Sequence, residues 1–459
     1  MKGPSQSTDA EHAAVAAGPE NRQGPTVLRR KMIRGSLWTV GGYGFSQAFR
    51  LGSNLVLSRL LFPEAFGVMA LVNVYMQGLQ MFSDVGIGPS IIQNERGEDP
   101  AFLNTAWTIQ VIRGAALWIG SWILAWPLAL LYGEPILARM IPVAGIAALI
   151  AGFGSTSLFT LNRNLLLGKL TLLDLGTSAI GSVTMIVWAY VHPSIWALLA
   201  GGLTGSLART VCSHWLQPGQ RNRFQWEPRA ARALLRFGRW ILISTALTFL
   251  VSRGDRMIMG VFLTVGQLGV YSIAFGLSQV VLAALDGLSG RMLFPVYSRL
   301  AGASPEEMRS KLRRTRIVIL AVALPFFSIL VAWGGRIVDF LYDSRYHDAG
   351  WILQILAAGT IFRAITTTFE PVTLAFGDSF RQMLKVAMWL VLLIAAMAVG
   401  GWLGGMRGLI IGVACTDVLR YPVTVWATQR YGGWMPALDL AAVAYSGVFI
   451  GILMLPMWL

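Results

Sequence analysis

Apolar runs of about 20 residues recur along the chain between short polar turns, the length one α-helix needs to cross a bilayer. They predict membrane helices over 36–60, 66–88, 104–131, 137–160, 172–191 and 194–216. A second set follows over 239–263, 268–295, 312–333, 350–375, 383–403 and 408–428. A last run, 437–458, predicts a thirteenth span. The polar stretch QPGQRNRFQWEPRAARALLRFGR parts the two sets and reads as a charged tether or a solvated helix on the membrane surface.

Polar residues interrupt this pattern most sharply in SRGDRMIMGVFLTVGQLGVYSIAFGLS, residues 252–278, where Arg253, Asp255 and Arg256 fall inside an apolar span. Each charge at a bilayer centre costs about 2.5 to 3.5 kcal/mol on insertion scales, so the three must face protein or water. The same stretch is a second copy of an earlier one. Laid over the segment from Ser53, it matches Asn54 to Asp255, Gly67 to Gly269 and Asp84 to Asp286, and upstream Arg34 and Trp38 to Arg236 and Trp240. The offset stays at about 201 to 202 residues, long enough to duplicate a whole multi-helix unit, as in two-lobed transporters.

The motifs that carry these matches resemble a known family. GDRMIMG followed by LGVY and a helix ending near FPVYSRLAG, the first-half pair LSRLLFPEAFGVMAL and SDVGIGPSIIQ, and YDSRYHDAGWILQILAAG running into TLAFGD resemble the Wzx-type polysaccharide flippases of the MOP exporter superfamily. The resemblance covers about 34–430, with one departure: Met259 stands where the family usually has Ile before Gly260. It implies an all-α polytopic membrane protein with two pseudo-symmetric six-helix lobes of the MOP/MATE kind. The expected plan is a disordered cytoplasmic tail 1–33, a lobe 34–217, a cytoplasmic linker 218–238, a lobe 239–430 and an extra helix 437–458.

Composition agrees with a membrane chain: 55% of residues are hydrophobic and 13% charged. Soluble chains of this length rarely show that balance. The net charge of +15 is spread through short loops rather than gathered in one domain. It therefore speaks for topology and against nucleic acid as a partner. Placing the N-terminus inside puts Arg29, Arg30, Lys31 and Arg34, the linker arginines and the run Arg309, Lys311, Arg313, Arg314 and Arg316 on the cytoplasmic face of a bacterial inner membrane. The acidic loop NERGEDP, 94–100, goes against this bias. Residues 1–28 lack an apolar core and do not read as a cleavable signal peptide. Cys212 and Cys415 both fall in spans and read as packing residues.

Candidate chemistry lies on polar helix faces. Gln47, Arg50, Asn54 and Ser58 share one face of the first span, and Ser244, Thr248, Ser252 and Asp255 one face of the seventh. Thr360, Arg363, Thr367 and Glu370 do the same in the tenth, followed by Pro371, which bends a helix. A cavity between lobes then presents Arg50, Asn54, Arg253, Arg256, Arg363 and Thr367 to an anionic head group, since a guanidinium fork fits phosphate oxygens. The competing reading has the arginines pair with Asp255 and Glu370 to lock helices together. Those two acids are also candidates for H⁺ or Na⁺ coupling. Asp84 and Asp286 read either as a symmetric cytoplasmic gate or coupling pair, or as caps of broken helix ends.

The four histidines lack metal-ligand spacing, and no P-loop is present, so no metal and no bound cofactor is expected. The resemblance implies a transporter rather than an enzyme: a flippase for undecaprenyl-diphosphate-linked oligosaccharide repeat units in exopolysaccharide, capsule or O-antigen synthesis. Expected partners are that lipid-linked oligosaccharide, membrane lipid, and a polymerase and glycosyltransferase complex. The alternatives are a multidrug exporter of the same superfamily, a membrane polymerase or ligase of the same pathway, and a scaffold for its glycosyltransferases.

Overall fold

The structure, a computed structural model, describes residues 25–164, 166–216, 221–288, 297 and 305–454. Among them there is no strand, and each of the thirteen expected spans is mainly helical, with breaks at 83–86, 153–156 and 368–371. The helices are α1 Pro25–Leu60, α2 Pro63–Phe82, α3 Ile87–Gln93, α4 Pro100–Tyr132, α5 Leu137–Gly152, α6 Ser157–Arg163, α7 Leu167–Val191 and α8 Trp196–Ser213. After the linker come α9 Pro228–Phe262, α10 Val265–Leu288, α11 Pro305–Leu341, α12 Ala349–Thr367, α13 Val372–Ala375, α14 Ser379–Thr428 and α15 Pro436–Met454.

Local chemistry sets the boundaries. Proline occupies the first turn of α2, α4 and α9, where a missing N–H costs nothing, and Asp99 caps α4 by accepting from Ala101 N. The first helix starts earlier than expected: α1 begins at Pro25, so 25–33 is helical, while the remainder of the expected tail, 1–24, lies outside the described residues. The expected eleventh and twelfth spans are two limbs of α14 joined by a hairpin at Gly404 and Gly405, where Gly405 takes φ 55°. Glycine adopts that left-handed conformation without steric penalty. Gly400 and Gly408 bring the limbs into backbone contact, with Gly404 in the turn and open around its Cβ position. Small residues let helix backbones approach, and here the close pair is Gly400 with Gly408 across the hairpin.

Eight helices are long and apolar enough to cross a membrane among the described residues, or nine if the bent pair α5 and α6, which meet at 61°, counts as one span. Helices α1 and α9, which carry polar stripes, are not among them. Large apolar side chains face outward all round the bundle, Trp126 at 67% exposure and Trp402 at 86%. Only lipid rewards such an arrangement. The chain is a multi-pass membrane protein.

Packing joins α1 to α7, α4 to α5, and α5 and α7 to α8 in the N-terminal half; α11, α12, α14 and α15 pack together in the other. Helix α2 bridges them by lying against α9 and α10. One apolar core runs through both halves, from Val68 and Leu71 of α2 to Leu353 and Ile361 of α12.

Two polar features sit where the sequence suggests plain loop. Residues 221–227 lie extended along the start of α4: Gln225 N and Glu227 N donate to Thr108 Oγ1 and Thr105 Oγ1, and Asn104 donates to Gln225 Oε1. Arg96 of the acidic loop ties its own Asp99 to Glu227 of the strap, so one guanidinium serves two carboxylates. The Arg96 hydrogen bonds hold both carboxyls below their ordinary range. Arg316, counted with the basic run at the cytoplasmic start of the 312–333 span, is instead fully buried in α11. It donates to Thr368 Oγ1 at 2.9 Å, to Gly433 O at 3.1 Å and to Asp439 Oδ1, fastening α15 to the bundle.

Candidate functional site

A cavity of about 750 Å³ lies between α1, α9, α10, α12 and α14. The stripe of α1 supplies Gln47, Arg50 and Asn54, the last two exposed to it. Facing them across the gap, α9 supplies Thr248, Ser252, Arg253, Asp255 and Arg256. The repeat-mate stripes thus line one space without packing together.

The three charges of α9 are each held differently. Asp255 is buried, and Tyr271 donates its hydroxyl to Oδ2 at 2.8 Å from α10. Arg253 donates from Nε to Gln77 Oε1 of α2 at 2.7 Å. Arg256 lies over the Phe275 ring, 4.2 Å from its centroid. This cation–π contact keeps the charge toward the cavity without neutralising it.

Helix α12 adds Thr360, Arg363 and Thr366. Thr367, expected here, is buried outside the lining, one residue and about 100° further round the helix. Beyond Thr367 the helix breaks before Pro371, and Glu370 sits in that break with Lys385 Nζ 3.4 Å from its Oε1. Lys385 is itself fully buried.

Several lining residues carry little signal in the sequence. Helix α14 contributes Gln382, Trp389, Thr416, Asp417 and Arg420, and α10 contributes Gln279. An arginine and an aspartate three apart in the otherwise apolar 408–428 span are the one sign of them. The wall then holds five arginines against three carboxylates, with Lys385 behind it. The space is net positive and bounded by low-dielectric walls that strengthen its field.

The other expected residues lie elsewhere. Asp84 follows α2, away from the cavity, and its Oδ1 accepts from Gly86 N at 2.9 Å where Gly86 turns left-handed. Arg113 donates to Ser83 Oγ and Gln80 O at the end of α2, and Arg209 pairs with Asp174 at 2.9 Å. The Asp286 and Arg291 side chains lie outside the described residues. Among the described residues no cluster of metal-ligating side chains occurs.

One end of the cavity is shut. Gly67 of α2 and Gly269 of α10 meet backbone to backbone, and a Cβ on either would overlap the other helix's carbonyl, Val265 O or Pro63 O. On the same side Tyr346 donates to Leu61 O at 3.3 Å and Arg345 donates to Ser58 O and Arg59 O at 3.2 Å. Past the seam is a shallower recess of about 460 Å³ beside Glu64, Arg345, Trp351 and Arg407.

Helices as the only regular elements among the described residues, apolar side chains turned outward and a net-positive central cavity define the class: a polytopic membrane protein built around a polar space. Solved structures agree on the fold. A lipid II flippase, MurJ, in an inward closed conformation superposes with a TM-score of 0.70 over 92% of this chain and 93% of that one, at 14% identity. The family follows from sequence: a family model described as polysaccharide biosynthesis protein matches residues 56–350, more than half of the chain, and the chain belongs to that family. Among curated relatives, the lipopolysaccharide biosynthesis protein WzxC of Escherichia coli K12 is 20% identical over 86% of this chain and 80% of its own length. The succinoglycan biosynthesis transport protein ExoT of Rhizobium meliloti is 23% identical over 82% of this chain and 74% of its own.

Proposed function

We propose that the protein flips lipid-linked oligosaccharide repeat units across a bacterial inner membrane for exopolysaccharide, capsule or O-antigen assembly. The observation that carries this is the arginine-rich cavity, sealed at one end by Gly67 and Gly269, inside a flippase-like fold of a polysaccharide biosynthesis family. Undecaprenyl diphosphate is the carrier this cavity suits. Its phosphoryl oxygens match guanidinium forks, the sugars have polar walls to lie against, and the polyprenyl tail stays in lipid.

The six-helix sets 34–217 and 239–430 act as lobes that rock about this site, so that the seam opens as the other end closes. The basic loops orient the N-terminus to the cytoplasm, which makes the seam the outer gate. Asp255 and Glu370 carry the coupling H⁺ or Na⁺, because each already has a replaceable partner, Tyr271 or Lys385. A polymerase and glycosyltransferases are the partners that would supply and consume the substrate. A multidrug exporter for cations would place carboxylates in excess, and here arginines outnumber them.

Deleting the gene in its host tests this reading. Lipid-linked repeat units should accumulate facing the cytoplasm and be released by the wild-type gene. Repeat units that reach the outer leaflet yet remain unpolymerised would overturn the proposal and favour a polymerase or ligase.

A further inference from the structure

Within the net-positive wall, Arg420 differs from the other four arginines. It projects from the second limb of α14 and is 8% exposed, yet it lines the cavity. Its one carboxylate partner is distant: Nη1 is 3.5 Å from Asp417 Oδ1. That is the outer limit of a hydrogen bond. Its Nε–H has no acceptor among the described residues. The guanidinium rests on the Trp389 ring, 4.8 Å from the centroid, and Lys385 approaches the same ring at 5.0 Å. Lys385 also pairs with Glu370, its Nζ 3.4 Å from Oε1.

A buried guanidinium so poorly matched is destabilising unless an outside anion completes it. Arg363 lines the same cavity from α12, which packs against α14. Two arginines on neighbouring helices therefore border one space, Arg420 stacked on Trp389, and guanidinium forks match the oxygens of a doubly phosphorylated group.

We propose that Arg420 and Arg363 form a diphosphate clamp on the C-terminal half of the chain, with Trp389 as the plate that orients Arg420; this rests on the flippase reading for its natural ligand. The substrate's head group then travels with α12 and α14, while the α1 wall moves relative to it.

The test uses the full chain in lipid nanodiscs, titrated with inorganic pyrophosphate and, separately, with a short-chain polyprenyl diphosphate or the matching polyprenyl alcohol, followed by calorimetry and tryptophan fluorescence. The diphosphates should bind and compete with each other, and the alcohol should not displace them. R420Q and R363Q should each weaken binding about 10- to 100-fold, and R420K, which keeps charge but loses the fork, by less. Binding of the lipid diphosphate without pyrophosphate, still weakened by R420Q, assigns the clamp to the lipid-linked head group. R420Q affinity within twofold of wild type, or equal competition by the alcohol, overturns the clamp. If R420Q does not reach the membrane, R420K decides: wild-type affinity overturns the clamp. Diphosphate binding that depends on Arg420 in a protein that moves no lipid-linked oligosaccharide sinks the flippase reading and leaves the clamp; intact transport with undiminished R420Q binding does the reverse.

Discussion

Gly67 and Gly269, equivalent positions in the internal repeat, touch each other: the Cβ position of Gly67 falls 3.0 Å from Gly269 N and overlaps Val265 O. Two residues that align in the sequence repeat thus meet at one seam, where a Cβ on either would overlap the backbone of the other helix.

Substitution at the seam separates packing from helix propensity. Gly67→Ala or Gly269→Ala should lower the unfolding temperature of the purified protein, because overpacking a close contact costs about 1 to 3 kcal/mol. Gly276→Ala should raise it slightly, since nothing lies within 4 Å of its Cβ position. Ala is favoured over Gly in a helix by about 1 kcal/mol. A stabilised Gly269→Ala protein would show that the seam is not packed as described.

The Arg316–Asp439 pair makes a second stability prediction. Asp439→Asn leaves a buried guanidinium without its counter-charge and should cost about 3 to 5 kcal/mol, read as a drop in the denaturation midpoint. Replacing both with apolar residues, Arg316→Met with Asp439→Leu, should cost less than the single change. A larger loss in the double variant would mean that the pair contributes more than its charges.

Acid should release the linker strap. Asp99 and Glu227 sit below their ordinary values of 3.8 and 4.5 because Arg96 hydrogen-bonds their charged forms. A depressed carboxyl stabilises the fold above its unfolded value and loses that contribution as pH falls through the folded one. Protease cleavage within 221–227 should therefore stay slow at pH 5 and rise only below about pH 4, with high salt lowering the protection. Cleavage that is already rapid at pH 6 would contradict a docked strap.

Coupling through the two cavity acids predicts a split phenotype. Asp255→Asn and Glu370→Gln should bind substrate but lose the dependence of transport on an imposed cation gradient. Full, gradient-dependent transport in both variants would remove these residues from coupling.

Much of this arrangement is readable from residue order because membrane helices announce themselves by length and apolarity, and polar stripes on α1, α9 and α12 could only face inward. Helical period places Arg50, Asn54, Arg253, Arg256 and Arg363 around one space, and repeat spacing pairs Gly67 with Gly269. What stays hidden depends on contacts between segments distant in sequence. Lys385 and Arg316 stand near the edges of their expected spans, where a cation can reach the membrane surface, and only the fold buries them. Arg420 belongs to the cavity because the hairpin at Gly405 turns the second limb of α14 back along the first. Thr366 replaces Thr367 because the rotation of α12 about its axis is fixed by neighbours.

The most direct test of the account is translocation itself. The wild-type protein, Arg363→Ala and Arg50→Ala are reconstituted in liposomes carrying a lipid-linked oligosaccharide, and the fraction reachable by an external glycosidase is followed in time. Protein-dependent exposure beyond the half that faces outward at the start, with each arginine variant slowed about tenfold or more, is the expected result. Exposure that stops at the starting half with wild-type protein, or variants as fast as wild type, would contradict it.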